Sequence, residues 1–301
     1  MKDRKEFKGL VVAMVTPFHP DGSVNLEQEK VLVKHFVDKG VAGILVSGGT
    51  GEFTMMNLEE RKQVIRTAVE AVKGTDVYIM AGITCNSTKD TVELAKFSGE
   101  TGADFVLALP PFAVPVTKEA MMEYFEAIKA NTSCGLILYH FPGETNITFS
   151  PEEIVEMGNK GIICGVKNTT GMEHTMELIL ENKRHGSLKL SNGFDSLAFS
   201  ALACGADALI NAGSNMTPAQ YVKIISLMQE GRYEEARKIY EAILPLLLFQ
   251  EQNGNTEPGL CKYVLKLQGI DVGTPRKPIP DVSEASKETA KKLLELAESV
   301  L

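Results

Sequence analysis

Three groups of residues in this sequence have types and spacing suited to chemistry: Lys167, Tyr139 and the loop Gly48-Gly49-Thr50-Gly51-Glu52. Lys167 stands where the apolar run Gly161-Ile162-Ile163-Cys164-Gly165-Val166 stops. A short apolar run bounded by glycines reads as a buried strand. An amine at the tip of such a strand is biased by desolvation toward its neutral form, which attacks carbonyl carbon. Tyr139 ends another apolar run, Gly135-Leu136-Ile137-Leu138, and a phenol beside an amine can shuttle protons. The glycine loop follows Val41-Ala42-Gly43-Ile44-Leu45-Val46, and its closely spaced backbone N–H groups can cradle an anion such as a carboxylate. It is not a Walker loop, because no Gly-Lys-Ser/Thr follows. Strand-end lysines also commonly snorkel to solvent, and glycine loops are common turns. The case for chemistry therefore depends on what the fold brings together.

Short apolar runs recur along the chain at Leu10–Val15, Val41–Val46, Val77–Ala81, Phe105–Leu109, Gly135–Tyr139, Gly161–Val166, Leu188–Leu190 and Ala208–Ile210. Between them lie helical patterns with recognisable starts. Asn25 and Thr117 are caps, and Ser150-Pro151-Glu152-Glu153 combines a cap, a proline at the first helical position and an acidic first turn. Lys39-Gly40, Thr101-Gly102 and Cys204-Gly205 place glycine at a helix end just before a strand, as a left-handed C-cap requires. Eight such units predict a (β/α)8 TIM barrel over 1–220. A doubly wound open sheet would carry a phosphate-binding GxGxxG after its first strand, and Met14-Val15-Thr16-Pro17-Phe18 stands there instead. Helical patterns at 221–228, 233–249, 258–267 and 283–300 predict a C-terminal helical region, 221–301, packed on the barrel.

Bulk properties exclude several functions. The chain has 301 residues and a formal net charge of −8, which argues against nucleic-acid and anionic-membrane partners. No apolar run is long enough to span a membrane, and no apolar signal region follows the charged start Met1–Glu6. The five cysteines are scattered with no CxxC, which fits a reducing cytoplasm. The five histidines form no HxxxH pair, so no metal is expected.

In a TIM barrel the active site lies at the C-terminal ends of the strands. Thr16, Ser47 to Glu52, Phe112, Tyr139, His140, Lys167, Thr169, Thr170, Asn192, Gly193, Asp195, Asn211, Gly213 and Ser214 all follow strands. Their convergence favours Lys167 as a nucleophile.

Four motifs, in order and spacing, carry a resemblance: Gly48-Gly49-Thr50-Gly51-Glu52, Leu138-Tyr139-His140-Phe141-Pro142, Gly165-Val166-Lys167 and Asn192-Gly193-Phe194-Asp195. From Gly9 to about Pro280 the chain resembles the dihydrodipicolinate synthase/N-acetylneuraminate lyase family of class I aldolases. The resemblance implies that Lys167 forms a Schiff base with pyruvate or another 2-oxo acid, that Tyr139 is the proton shuttle, and that Gly49 and Thr50 hold the 2-oxo acid carboxylate. The partners it implies are that 2-oxo acid and an aldehyde, with no metal or organic cofactor, in a homotetramer built as a dimer of dimers.

The chain departs from the synthase pattern at Gly49, where that branch has a threonine, at Phe112, where it has a relay tyrosine, and at Glu144, where it has a carboxylate-binding arginine. A carboxylate at Glu144 repels a second substrate carboxylate. Thr169, Asp195 and Ser214 match polyol-contacting positions of the lyase branch, and Arg276-Lys277-Pro278 also resembles it, although Ser196 replaces a glutamate there. Glu144 and His140 offer hydrogen bonds to substrate hydroxyls. The expected function is therefore cleavage or formation of a 2-keto-3-deoxy sugar acid such as N-acetylneuraminate or ketodeoxygluconate. The alternatives are 4-hydroxy-tetrahydrodipicolinate (dihydrodipicolinate) synthesis, or dehydration or deamination through the same imine. A catalytically silent binding protein is a further possibility, which intact Lys167 and Tyr139 oppose.

Overall fold

A computed structural model describes residues 5–112, 114–252 and 257–300. Eight parallel strands form a closed barrel in chain order, with β1 (Gly9–Ala13) pairing both β2 (Gly43–Val46) and β8 (Ala208–Asn211). Between them stand β3 (Tyr78–Gly82), β4 (Phe105–Ala108), β5 (Gly135–His140), β6 (Gly165–Asn168) and β7 (Lys189–Asn192). The helices are α1 (Leu26–Asp38), α2 (Leu58–Ala71), α3 (Thr88–Thr101), α4 (Lys118–Ala130), the short α5 (Pro142–Thr145), α6 (Pro151–Asn159), α7 (Met172–His185), α8 (Ala198–Cys204) and α9 (Pro218–Gln229). The (β/α)8 TIM barrel expected from the sequence is what forms, followed by α10 (Tyr233–Gln252), α11 (Glu257–Leu267) and α12 (Glu284–Glu298). No described helix is long and apolar enough to cross a membrane.

The expected helix starts form because their caps satisfy N–H groups that have no partner in the first turn. Asn25, Thr117 and Ser150 each accept a backbone N–H there, and Ser150 and Glu153 complete a reciprocal capping box. Gly102 and Gly205 end α3 and α8 with φ of 100° and 107°, a conformation that costs a residue with Cβ about 1 kcal/mol or more.

Among the strand boundaries that differ from the sequence expectation, those of β6 and β7 bear on the site. Ile162 and Ile163 are buried in the connection before β6 rather than in the strand, because they pack into the shell between strands and helices. Lys167 is consequently the third residue of β6, not the residue after it. Strand β7 runs on to Ser191 and Asn192, polar residues without a strand signature, because pairing with β6 extends to Asn168↔Asn192.

Strand pleating sorts the core into two shells. Phe7, Val11, Leu45, Met80, Phe105, Ile137 and Ile210 fill the barrel interior, while the opposite strand faces pack under the helices. Tyr139 packs on the interior cluster as the last inward residue of β5.

The C-terminal helices are tied to the glycine loop by a buried ion pair. Lys262 of α11 meets Glu52 at 2.6 Å, with both side chains at most 1% exposed. The same ammonium donates to the Thr274 carbonyl, and the Arg276 N–H donates to Glu52. Burial pushes the Lys262 ammonium below its ordinary range, with Glu52 acting in the opposite sense. Removing one partner leaves a buried charge uncompensated, which typically costs about 3–5 kcal/mol. Lys262→Met is therefore expected to lose about that much in urea unfolding, and Glu52→Gln in the same chain should recover a large part of it.

Candidate active site

The inward positions at the top of three adjacent strands form one level. Tyr139 pairs with Lys167, and Lys167 pairs with Ser191. Paired residues of parallel strands share a face, so all three side chains point into the barrel mouth. Lys167 is 6% exposed, and its Nζ lies over the Tyr139 ring, 4.1 Å from the centroid. Tyr139 in turn stacks on Phe141, which meets Phe194 edge-on. An aromatic wall thus flanks the amine.

Gly193 supplies the space beside it. A Cβ there would stand 1.9 Å from Thr169 Oγ1 and 2.9 Å from Lys167 Cε. Thr169 is buried, and its hydroxyl has no hydrogen-bond partner. An unpaired buried hydroxyl costs about 1–3 kcal/mol and is ready to bond a ligand.

The glycine loop is held from three sides. Thr16 Oγ1 donates to the Gly51 carbonyl at 2.6 Å. The buried Arg61 donates to Ser47 Oγ and to the carbonyls of Gly82 and Thr84. Ser47 and Glu52 hold φ of 56° and 59°, a left-handed conformation that persists for non-glycine residues only where surroundings impose it. Gly49 is exposed with open space at its Cβ position. Thr50 is buried, and its hydroxyl donates to Glu257 Oε1 at 2.7 Å. Sequence reasoning missed Glu257. As the first residue of α11, just before Pro258, it carries only the signal of an acidic helix start.

Several expected contacts have other roles. His140 is an outward residue of β5 and fully buried, so it cannot meet a substrate hydroxyl. Its Nδ1 bonds Asn168 Oδ1 at 2.9 Å and its Nε2 accepts the Phe149 N–H at 3.1 Å, which assigns a neutral ring protonated at Nδ1. Burial, with the nearby His174, lowers its pKa from 6.5 to about 4, against an opposing effect of Asn168. Asp195 is likewise committed: its oxygens accept from the Tyr221 hydroxyl and the Gly213 N–H. It joins the loops after β7 and β8 rather than offering a free polyol contact. Burial raises it to about 7 despite those bonds, with Glu251 and Glu257 adding to the rise. Ser214 is fully buried, and its hydroxyl donates to the Asn211 carbonyl. Glu144 is exposed on α5. Arg276 grips Glu60 and the carbonyls of Gly22 and Met55, so its role is structural. Phe112 meets Phe53 of the same chain edge-on.

Comparison with known proteins places the chain in a family. A model of the "Dihydrodipicolinate synthetase family" matches residues 6–297. The chain belongs to that family. Family membership makes it an enzyme, a pyruvate-dependent aldolase of the carbon–carbon lyase class. It is 32% identical over 293 residues to a 4-hydroxy-tetrahydrodipicolinate synthase of Kosmotoga olearia, covering 96% of this chain and 98% of that one. The solved dihydrodipicolinate synthase of Aquifex aeolicus superimposes with a TM-score of 0.90 at 28% identity, over 98% of this chain and 99% of the other. The sialic acid aldolase of Ruminococcus gnavus superimposes with a TM-score of 0.91 at 26% identity, over 98% of both.

Two predictions arise from this geometry. Gly193→Ala forces Lys167 and Thr169 aside, and a misplacement near 1 Å costs about a hundredfold in rate. The variant is expected to fold, by circular dichroism, yet to lose about that much kcat/KM. His140 binds fewer protons folded than unfolded, so its stabilisation is complete above pH 6.5 and fades as pH falls toward about 4. Between pH 7 and 4.5, wild type should lose roughly 2–3 kcal/mol more in urea unfolding than His140→Gln.

Proposed function

We propose that Lys167 attacks the keto carbon of pyruvate or another 2-oxo acid, expelling water to form an imine. The protonated imine withdraws electrons, the neighbouring carbon loses a proton, and the resulting enamine adds to an aldehyde. Cleavage is the same sequence in reverse. Tyr139 carries the proton, and Gly49 and Thr50 hold the 2-oxo acid carboxylate. The observation that supports this most is the Lys167 amine lying 4.1 Å from the Tyr139 ring centroid in the mouth of the barrel, with Gly193 keeping the adjacent space open. No cofactor enters the scheme. Assembly as a homotetramer belongs to the same proposal.

Two readings of the aldehyde have support. Similarity favours aspartate semialdehyde, because curated relatives at 28–32% identity share the name 4-hydroxy-tetrahydrodipicolinate synthase. The residues favour a hydroxylated aldehyde released from a 2-keto-3-deoxy sugar acid. Phe112 cannot relay a proton, Glu144 repels a second carboxylate, and the unpaired Thr169 hydroxyl suits a polyol. The sialic acid aldolase among the structural relatives fits this second reading.

Borohydride with pyruvate is expected to add mass irreversibly at Lys167, and a folded protein with no adduct there would overturn the proposal. Lys167→Ala should abolish turnover. Tyr139→Phe should lower kcat by about 10²–10⁴-fold, the range of general acid–base catalysis. A panel of sialic acid, ketodeoxygluconate and aspartate semialdehyde plus pyruvate separates the two aldehyde readings. Product analysis separates aldol cleavage from dehydration or deamination, since only cleavage releases pyruvate with an aldehyde.

A further inference from the structure

The Thr50 hydroxyl has one proton to donate, and it donates it to Glu257 Oε1 at 2.7 Å. Thr50 is also the residue proposed to hold the substrate carboxylate, so two carboxylates compete for one donor. The preceding loop residue offers no second side-chain hydroxyl to share the load, because it is Gly49. Nor is the contact a loose surface encounter. Glu257 opens α11, and five residues further on the same helix Lys262 grips Glu52 of the same loop at 2.6 Å. Helix and loop are thus fastened together at two points.

We propose that Glu257 is a specificity-determining residue for the keto substrate: it holds the Thr50 hydroxyl in the free enzyme and must take up a proton for a substrate carboxylate to share that site. This rests on the reading of Lys167 as the imine-forming residue and of Thr50 as the carboxylate holder. When Glu257 takes a proton from solvent, its charge disappears and the Thr50 hydroxyl is released to the incoming anion. While Glu257 stays ionised, it repels that anion and keeps the donor.

The groups around Glu257 agree with uptake of a proton there. Burial raises its carboxyl above the ordinary range. The Thr50 hydroxyl and Lys167 on β6 oppose that rise, whereas Glu251 on α10 and Glu144 on α5 add to it. Asp195, after β7, and Cys261, on α11 itself, also sense its charge. Lys167 is the one basic side chain in this set, and imine formation commits its nitrogen to the substrate while the protonated imine keeps a positive charge there.

The test compares pyruvate with pyruvamide, a keto donor that offers Lys167 the same carbonyl without a negative charge. KM for each is measured from pH 5 to 9 in wild type and Glu257→Gln, with borohydride trapping at Lys167 as a second readout. In wild type, KM for pyruvate should climb with pH relative to KM for pyruvamide, by up to about tenfold per unit above the Glu257 titration. Glu257→Gln keeps an acceptor for Thr50 but no charge, so the two donors should run parallel and KM for pyruvate should fall at high pH. The wild-type donor comparison stands by itself if the variant fails to fold. Parallel pyruvate and pyruvamide profiles in wild type, with both forming the Lys167 adduct, would overturn the role of Glu257 while leaving the aldolase reading intact. A loss shared by kcat and KM in Glu257→Gln, with the wild-type pH profile retained, would likewise reduce Glu257 to a structural residue. No adduct with either donor at any pH would overturn both.

Discussion

Closure of the parallel barrel is the constraint on which everything else depends. Once β1 pairs with β8, every strand has two neighbours, and the pairing register decides which side chains share a level. At the top of β5, β6 and β7 that level holds Tyr139, Lys167 and Ser191. One residue's slip in β6 would turn Lys167 outward and put Asn168 in the mouth. The register resists such a slip because the layers below are packed. Gly165 lies two residues before Lys167 on the same face, and a Cβ there would stand 2.9 Å from Phe7 and 3.1 Å from Ile137.

The outward face of the same strand ends is polar and closed. Asn168 bonds His140, His174 and Thr175, and Phe149 receives His174 at its carbonyl and gives its N–H to His140. A buried network of this kind stabilises only when its members are satisfied, because each unpaired polar group in low dielectric is costly. Here it ties β5, β6 and α7 together directly behind Tyr139 and Lys167. Tyr139 and Lys167 are therefore backed by a layer that resists displacement, and within it burial keeps His140 neutral.

The C-terminal helices do more than cover the barrel. Through Glu257 and Lys262, α11 touches Thr50 and Glu52 in the loop proposed to receive the substrate. Through Tyr240, α10 holds the carbonyl of Ser196, and Glu251 accepts the Ser196 N–H. The barrel and its helical extension are thus two stretches of sequence joined at the loops after β2 and β7.

The sequence alone determined the architecture and the kinds of chemistry available. Apolar period, capping residues and C-cap glycines are local signals, and they sufficed for eight βα units and a helical extension. The glycine loop, Tyr139 and Lys167 could be singled out as candidates because strand ends are where a TIM barrel gathers function. Local signals could not say that Ile162 and Ile163 precede β6, that His140 faces away from the mouth, or that Asp195 and Ser214 are occupied by their neighbours. Those outcomes depend on inter-strand register and on which polar groups reach each other. Only the tertiary structure brought Glu257 to Thr50 across 207 residues and Lys262 to Glu52 across 210. A buried charge takes whatever partner the packed chain presents to it, and no periodicity in the sequence names that partner.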